Sequence, residues 1–326
     1  MKSFESFLAP QLKAFIAYRQ YLGYAHKTVL SHLKTFDRYL RKHKVQGASQ
    51  LLQPAFFIEF RKHLQIESGS INSLFYTLQA FFQFLVRKEL YPTNPVQDIP
   101  PLPEKAFIPF VFSPEQINQL VDAVCKRIRK CRKHFFKDLS EYLAILFLAR
   151  CGMRIKEPLR LRPNHYRAGE KTIYIEKTKF KKDRLIPVPK AVAEEIENYL
   201  SVRNTLRAED QNPYLLAGFN HGRLSDNRVR FVFHQAVKSI GIHQPRRIIG
   251  TTTFASPTPH SLRHSFAVNT LKSVKERGIS PDSALPVLAV YMGHSEYKHT
   301  IKYLKIVDAQ HRRQWADFAG SHDEDL

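Results

Sequence analysis

Between Pro259 and Tyr303 the chain sets four residues able to serve one reaction within 45 positions. They are His260 and Arg263 in His260-Ser261-Leu262-Arg263-His264, His294 after Gly293, and Tyr303 in Lys302-Tyr303-Leu304. A second arginine, Arg154, lies upstream in Cys151-Gly152-Met153-Arg154-Ile155-Lys156-Glu157. A cationic run follows it: Lys177, Lys179, Lys181, Lys182 and Arg184. These types can be gathered around one phosphodiester. A tyrosine hydroxyl can act as a covalent nucleophile. Its unperturbed pKa is about 10, so nearby cations have to ease formation of the phenolate. Two guanidinium forks, Arg154 and Arg263, suit the non-bridging oxygens, which gain charge as phosphorus becomes pentavalent. A lysine can protonate the leaving 5′ oxygen. Histidines beside the phosphate can donate hydrogen bonds or carry the tyrosine's proton. No acidic cluster suited to Mg²⁺ stands near these residues, and no Gly-rich phosphate loop occurs. The chemistry predicted is free of metal, cofactor and ATP.

Taken singly, each residue is weak evidence. A tyrosine on a helix is ordinarily core or surface, and a histidine after a glycine is ordinarily a helix cap. Arg154 could equally be the ion-pair partner of Glu157. Composition adds weight to the combination. The 326 residues hold 51 Lys+Arg against 29 Asp+Glu, a net charge of +22. An excess of that size repels itself unless a polyanion screens it, and nucleic acid is the first candidate. An anionic membrane surface is the second, but there is no run of 18 apolar residues and no signal peptide at the start. Cys125, Cys131 and Cys151 have neither disulfide-framework nor zinc spacing, and read as reduced thiols of a cytosolic protein.

Two domains must position these groups. Residues 1–98 read as a four-helix bundle. Leu8, Leu12, Phe15 and Ile16 repeat at helical spacing up to Gly23. Thr28 can cap a second helix, with Leu33, Phe36 and Leu40 on one stripe and Lys34, Arg38, Arg41 and Lys42 off it. Pro54 and Ser70 open the third and fourth. The surplus of cations here favours a phosphate-contacting face, in which Lys34 and Arg38 are candidates. Tyr91-Pro92-Thr93-Asn94-Pro95 and then Pro100, Pro101 and Pro103 mark a stiff linker, placed at 99–112. Ser113-Pro114-Glu115-Gln116 begins the second domain, 113–326, with a capping box. The stretch from Tyr142 to Leu148 is apolar on nearly every side and predicts a buried helix ended by Gly152. From Thr172 to Val188 the period changes to alternation, which predicts a β-hairpin with a cationic tip able to enter a DNA groove. A later helix, from about Ser225 to Ile240, carries Arg228 and Arg230 as further DNA-contacting candidates. The fold class is mainly α with a small β-sheet, an α+β catalytic domain behind a separate all-α bundle.

At this point the chain resembles the tyrosine recombinases, the phage-integrase family of site-specific DNA recombinases. The matching pieces come in that family's order. Residues 151–157 resemble its first arginine box, and Thr178-Lys179-Phe180-Lys181-Lys182-Asp183-Arg184 its lysine hairpin. His260-Ser261-Leu262-Arg263-His264 resembles the second box and Gly293-His294-Ser295 the third. Tyr303 follows His294 by nine residues, as in the family. The N-terminal bundle is similar to the family's core-binding, SAM-like domain, so the resemblance covers the whole chain. It implies a C-shaped clamp on double-stranded DNA. Arg154 and Arg263 would clamp the scissile phosphate, with Lys179 as general acid and Lys177, Lys181 and Lys182 as its neighbours. His260 and His294 would complete the pocket and Tyr303 would attack. A 3′-phosphotyrosyl intermediate, strand exchange through a Holliday junction, and a homo-oligomer (a dimer per site, a tetramer in synapsis) are implied as well. So is a C-terminal segment, with Trp315 and Phe318 as anchors, docked on a neighbouring protomer.

Three departures from the family pattern stand out. Pro158 follows Glu157 and is tolerable only in the first turn of a helix. Lys272 to Pro286 carries several extra residues, which is more like recombinases of mobile elements than the Xer type. The chain opens at the core-binding bundle, without a smaller arm-binding domain. The reading is therefore a cytoplasmic, nucleoid-associated integrase of a mobile element. The alternatives are a type IB-like topoisomerase, an Xer-type dimer resolvase, or a regulator on the same fold that lacks catalysis.

Overall fold

A computed structural model describes residues 4–43, 52–131, 134–176, 183–206, 211–218, 222–294 and 300–307. The chain divides into two compact units, 1–106 and 107–326. In the first unit, α1 (Ala9–Tyr21), α2 (Lys27–Lys42), α3 (Pro54–Lys62) and α4 (Ser68–Arg87) bury one stripe each. Leu12, Phe15, Leu33, Phe36, Leu40, Phe57, Phe60 and the Phe81-Phe82 pair meet in one core. The Phe36 ring packs against Phe57, Phe60 and Phe82 with centroids 5.9, 5.6 and 6.2 Å away. Asp37 is buried on the inner side of α2, where it accepts hydrogen bonds from the backbone N–H of Glu5 and Ser6. A buried carboxylate without such partners would be strongly destabilising. The prolines after α4 do not hang free. Asn72 donates to the carbonyl of Leu102 at 2.9 Å and accepts from its N–H at 2.8 Å, fastening the stretch to α4.

The strand β1 (Ala106–Ile108) begins at the last residue of the first unit and runs into the second, inside the stretch expected to be linker. Next, α5 (Pro114–Cys125) starts with the expected capping box between Ser113 and Gln116. The following helix, α6 (Phe135–Arg150), is buried along nearly its whole length. A 3-10 turn, Pro158–Arg160, puts Pro158 at its first position, where the missing N–H has no partner to lose. The strands β2 (Tyr166–Arg167), β3 (Thr172–Ile175) and β4 (Arg184–Pro187) form an antiparallel sheet, with Ile175 paired to Arg184. Then come α7 (Lys190–Leu206) and α8 (Asp226–Ser239), the latter capped by Ser225. A second sheet has the order β1-β6-β5, from β5 (Arg247–Ile249) and β6 (Thr252–Phe254). Two helices close the described fold, α9 (Pro259–Glu276) and α10 (Pro281–Met292), followed by the helical stretch 300–307. The spacer Lys272–Pro286 is thus the end of α9, a turn at Gly278 (φ +76°) and the start of α10. Cys125 and Cys131 are exposed and Cys151 is buried; burial pushes the Cys151 thiol up to about 12, so it stays protonated. Among the described residues no helix is long and apolar enough to cross a membrane.

Candidate active site

Four segments distant in sequence build the site. The first is the turn after α6. Gly152 has φ +57°, and a Cβ there would stand 2.5 Å from Cδ1 of Phe266, so only glycine lets this turn lie against α9. Arg154 and Glu157 are then tied reciprocally. The N–H of Arg154 donates to Glu157 Oε2 at 2.8 Å, and the N–H of Glu157 donates to the Arg154 carbonyl at 2.8 Å. Nη1 of Arg154 donates to Glu157 Oε1 at 2.9 Å. The ion pair weighed from sequence is therefore present, and a guanidinium with five N–H groups keeps several for an anion.

The second segment is β4. Arg184 donates from Nη1 and Nη2 to the two oxygens of Glu157, at 3.1 and 2.9 Å, and from Nε to the Tyr291 carbonyl at 2.8 Å. Burial opposes ionisation of Glu157, but Arg184 and the Arg154 N–H outweigh it and hold its carboxyl below the usual carboxylate range. Arg184 is a correction to the sequence reading, which counted it among DNA-contacting groups. Its side chain is 8% exposed and its guanidinium is committed to Glu157, so it supports the pocket instead of facing solvent. Arg228, another of those candidates, also has a carboxylate partner, with its side chain 33% exposed. Glu141 is buried in α6 and needs a cation, and Arg228 supplies it from Nε at 2.6 Å and from Nη2 at 3.2 Å. Arg38 and Arg230 are exposed and Lys34 is partly exposed. Lys177, Lys179, Lys181 and Lys182 lie outside the described residues.

The third segment is α9. Thr258 and Ser261 close a capping box ahead of it, and Pro259 occupies its first position. Spacings of three and four then bring His260, Arg263 and His264 to one face. Arg263 is 1% exposed. Its Nη1 donates to the Gly152 carbonyl at 2.7 Å and its Nη2 to the Met292 carbonyl. Nη2 of Arg154 donates to the next carbonyl, Gly293, at 2.8 Å, so the two guanidinium groups are neighbours.

The fourth segment runs from the end of α10 to residue 307. Gly293 ends the helix at φ +63°, where a Cβ would meet Arg184 Nη1 at 2.9 Å. The N–H of His294 donates to the Ala289 carbonyl, so its backbone is a helix cap while its ring does something else. His294 Nδ1 lies 2.8 Å from Thr300 Oγ1, and its ring lies alongside Tyr303 at 6.2 Å and 27°. Tyr303 is 1% exposed, in a core with Ala267, Val268, Leu271, Leu285, Leu288 and Met292. Its hydroxyl is 3.0 Å from His264 Nδ1, and the His264 ring stands edge-on to His260 at 4.5 Å.

The electrostatics follow from this crowding. Burial pushes the Tyr303 phenol up, while Arg263 and Arg154 pull it down less strongly. Burial and Arg154 push Arg263 down to about 9, which leaves it charged at neutral pH. Burial, then His260, Lys302, Arg263 and His294, push His264 down to about 3. His260 is pushed to about 4 by burial and by Arg263, Lys302 and Arg154, although its ring keeps a solvent-facing edge.

A pH prediction rests on the better buried of the two, His264. Its folded pKa is depressed, so its contribution to stability is present above the unfolded value near 6.5. That contribution is lost as pH falls, because the unfolded chain takes up a proton the folded ring refuses. The loss is about 1.4 kcal/mol per pH unit at most. Thermal unfolding between pH 6.5 and 5 should therefore be steeper in pH for the wild type than for His264→Gln. Parallel curves would contradict it.

The sequence reading brought Arg154, Arg263, His260, His294 and Tyr303 forward, and the structure gathers all five. It missed Glu157 as the anchor of the pocket and His264 as the partner of the tyrosine. The signal for His264 was its spacing of four from His260 on a helix. The arrangement can hold an anion between two arginines beside a buried phenol whose oxygen already meets an imidazole.

The sequence model of the Phage integrase family matches residues 111–310. The protein y4rE of Sinorhizobium fredii, classed as an integrase/recombinase, is 26% identical over 317 residues, covering 93% of each chain. Tyrosine recombinase XerA of Pyrococcus horikoshii is 24% identical over 306 residues, covering 93% of this chain and 91% of its own. Lambda integrase, solved as a dimer on a COC′ core site, shares the fold with a TM-score of 0.62 at 15% identity, over 89% of this chain and 96% of that one.

Proposed function

This chain belongs to the phage integrase family of tyrosine recombinases, enzymes that cut and rejoin DNA strands, and on that premise we propose that it recombines specific DNA sites with Tyr303 as nucleophile. The observation that carries the reading is the buried Tyr303 phenol, held at His264 and within the electrostatic reach of Arg263 and Arg154, which favour its ionisation. Arg154 and Arg263 clamp the scissile phosphate, His260 and His294 line it, and Lys179 protonates the leaving 5′ oxygen. The product is a 3′-phosphotyrosyl link that keeps the bond energy, and strands exchange through a Holliday junction. Lys34, Arg38, Lys177, Lys181, Lys182 and Arg230 meet the DNA backbone, and their charge makes binding salt-dependent. Lambda integrase sits on its site as a dimer, and this chain acts in the same way, with a tetramer in synapsis. Residues 1–98 serve as the core-binding domain and 113–326 as the catalytic domain. The segment beyond about residue 311 docks in trans, so its deletion impairs assembly more than single-site binding. The enzyme works on the nucleoid in the cytoplasm, in the integration or excision of a mobile element. The likeness to XerA favours resolution of chromosome or plasmid dimers as the second reading.

The test is covalent capture. Nicked duplexes with randomised arms are incubated with the protein, and protein–DNA adducts that survive denaturation are isolated, sequenced and mapped by mass spectrometry. The expected result is enrichment of a defined site joined through a 3′ phosphate to Tyr303. No adduct, or an adduct on another residue, overturns the proposal.

A further inference from the structure

We infer that His264 is the base that takes the phenolic proton of Tyr303 during cleavage and returns it during rejoining, a role that rests on the recombinase reading above. Three imidazoles surround the nucleophile, and they are placed differently. His264 puts Nδ1 3.0 Å from the phenol oxygen. His294 lays its ring face along the tyrosine and turns Nδ1 to Thr300. His260 stands edge-on to His264, one ring further out, with a solvent-facing edge.

The proton has to leave the phenol inside a core. Tyr303 is 1% exposed and His264 is 6% exposed, so no bulk water can collect that proton directly. His264 also lines a cavity of about 590 Å³ together with Lys302, Lys305 and Phe110. The groups facing His264 are His260 and Arg263 on its own helix, Lys302 and Tyr303 from the stretch 300–307, and His294. All but the tyrosine are cationic or can become so, and they keep the ring neutral, which is the form able to accept. A phosphodiester bound at Arg154 and Arg263 brings negative charge into this cationic cluster, and the transition state brings more. Both favour an imidazolium where the empty site disfavours it.

The step balances as follows. The Tyr303 oxygen forms a bond to phosphorus as its proton passes to His264. The bond from phosphorus to the 5′ oxygen breaks, and that oxygen takes a proton from the general acid. In rejoining, the 5′ hydroxyl attacks phosphorus, the bond to Tyr303 breaks, and the His264 imidazolium returns its proton to the phenol oxygen.

The test uses the full-length protein on a nicked duplex obtained by the covalent capture above, read as single-turnover adduct formation between pH 5.5 and 9. His264→Asn places an amide where Nδ1 was and can hold the phenol without accepting a proton; His264→Ala removes both functions. Both should slow cleavage by about 10²- to 10⁴-fold, the range of a lost general base. Their rates should keep rising with pH where the wild type levels off, and added imidazole should restore part of the His264→Ala rate. A 5′-bridging phosphorothiolate, whose leaving sulfur needs no acid, should not restore either variant. Wild-type rates in His264→Asn would reduce His264 to a positioning residue, faster cleavage would make it a latch, and rescue by the phosphorothiolate would move the defect to the leaving group. Each of these overturns the inference. Absence of any adduct with the wild type is a different failure, that of the recombinase reading itself.

Discussion

Arg263→Lys is expected to keep its positive charge and lose about 10²- to 10³-fold in the rate of strand cleavage, the range for a removed transition-state donor. Arg263 is among the largest fully buried side chains of the protein and holds two carbonyls, Gly152 and Met292, from opposite sides of the pocket. Those contacts fix the plane of the guanidinium, and its remaining N–H groups can meet two phosphate oxygens at once. A lysine ammonium is a point charge on a flexible stem and cannot fork. It also leaves at least one buried carbonyl without a donor, worth roughly 1–3 kcal/mol. The loss should therefore appear in two measurements of unequal size. Adduct formation per bound complex falls by orders of magnitude. Affinity for the same duplex falls only a little, because one phosphate contact of many is changed and the salt dependence of binding shifts by about one ion at most. If instead affinity collapses while the rate per bound complex is unchanged, Arg263 is not a clamp on the reacting phosphate.

Much of this site can be read before any coordinates, and the reason is local. His260, Arg263 and His264 lie within one turn of α9, and Arg154 and Glu157 lie within one turn after α6, so sequence spacing is nearly spatial spacing. The buried helix α6, the capping box at Ser113 and the alternation of β3 are equally local patterns. What stays hidden depends on contacts across long separations. An arginine at the foot of a lysine-rich hairpin looks like part of its cationic tip. Only the contact between Arg184 and Glu157, 27 positions apart in sequence, shows that it points inward. Arg228 finds Glu141 across 87 residues, which no helical stripe announces. β1 follows a cluster of prolines and all three of its residues are exposed, so neither alternation nor burial marks it as a strand. The stretch expected to be linker therefore holds both a segment pinned by Asn72 and a strand of the second sheet.

Glu157→Ala is expected to cost about 3–5 kcal/mol of stability, the range for one partner removed from a buried ion pair. The carboxylate accepts from both Arg154 and Arg184, and Arg184 is itself 8% exposed. Without it a guanidinium is left inside the protein with the Tyr291 carbonyl as its remaining hydrogen-bond partner among the described residues. Glu157→Gln keeps one acceptor oxygen and loses the charge, so it should fall between the wild type and alanine. The decisive variant is the double one. Glu157→Ala with Arg184→Met removes both buried charges together, and replacement of a buried pair by apolar groups is often close to neutral. Urea unfolding should therefore show the double variant more stable than Glu157→Ala alone, a coupling that additive sites would lack. Cleavage should not recover with it. Arg154 still lacks the carboxylate that holds its Nη1 and its backbone N–H. A double variant that regained both stability and wild-type cleavage would mean that Glu157 serves the fold and does nothing to aim the arginine.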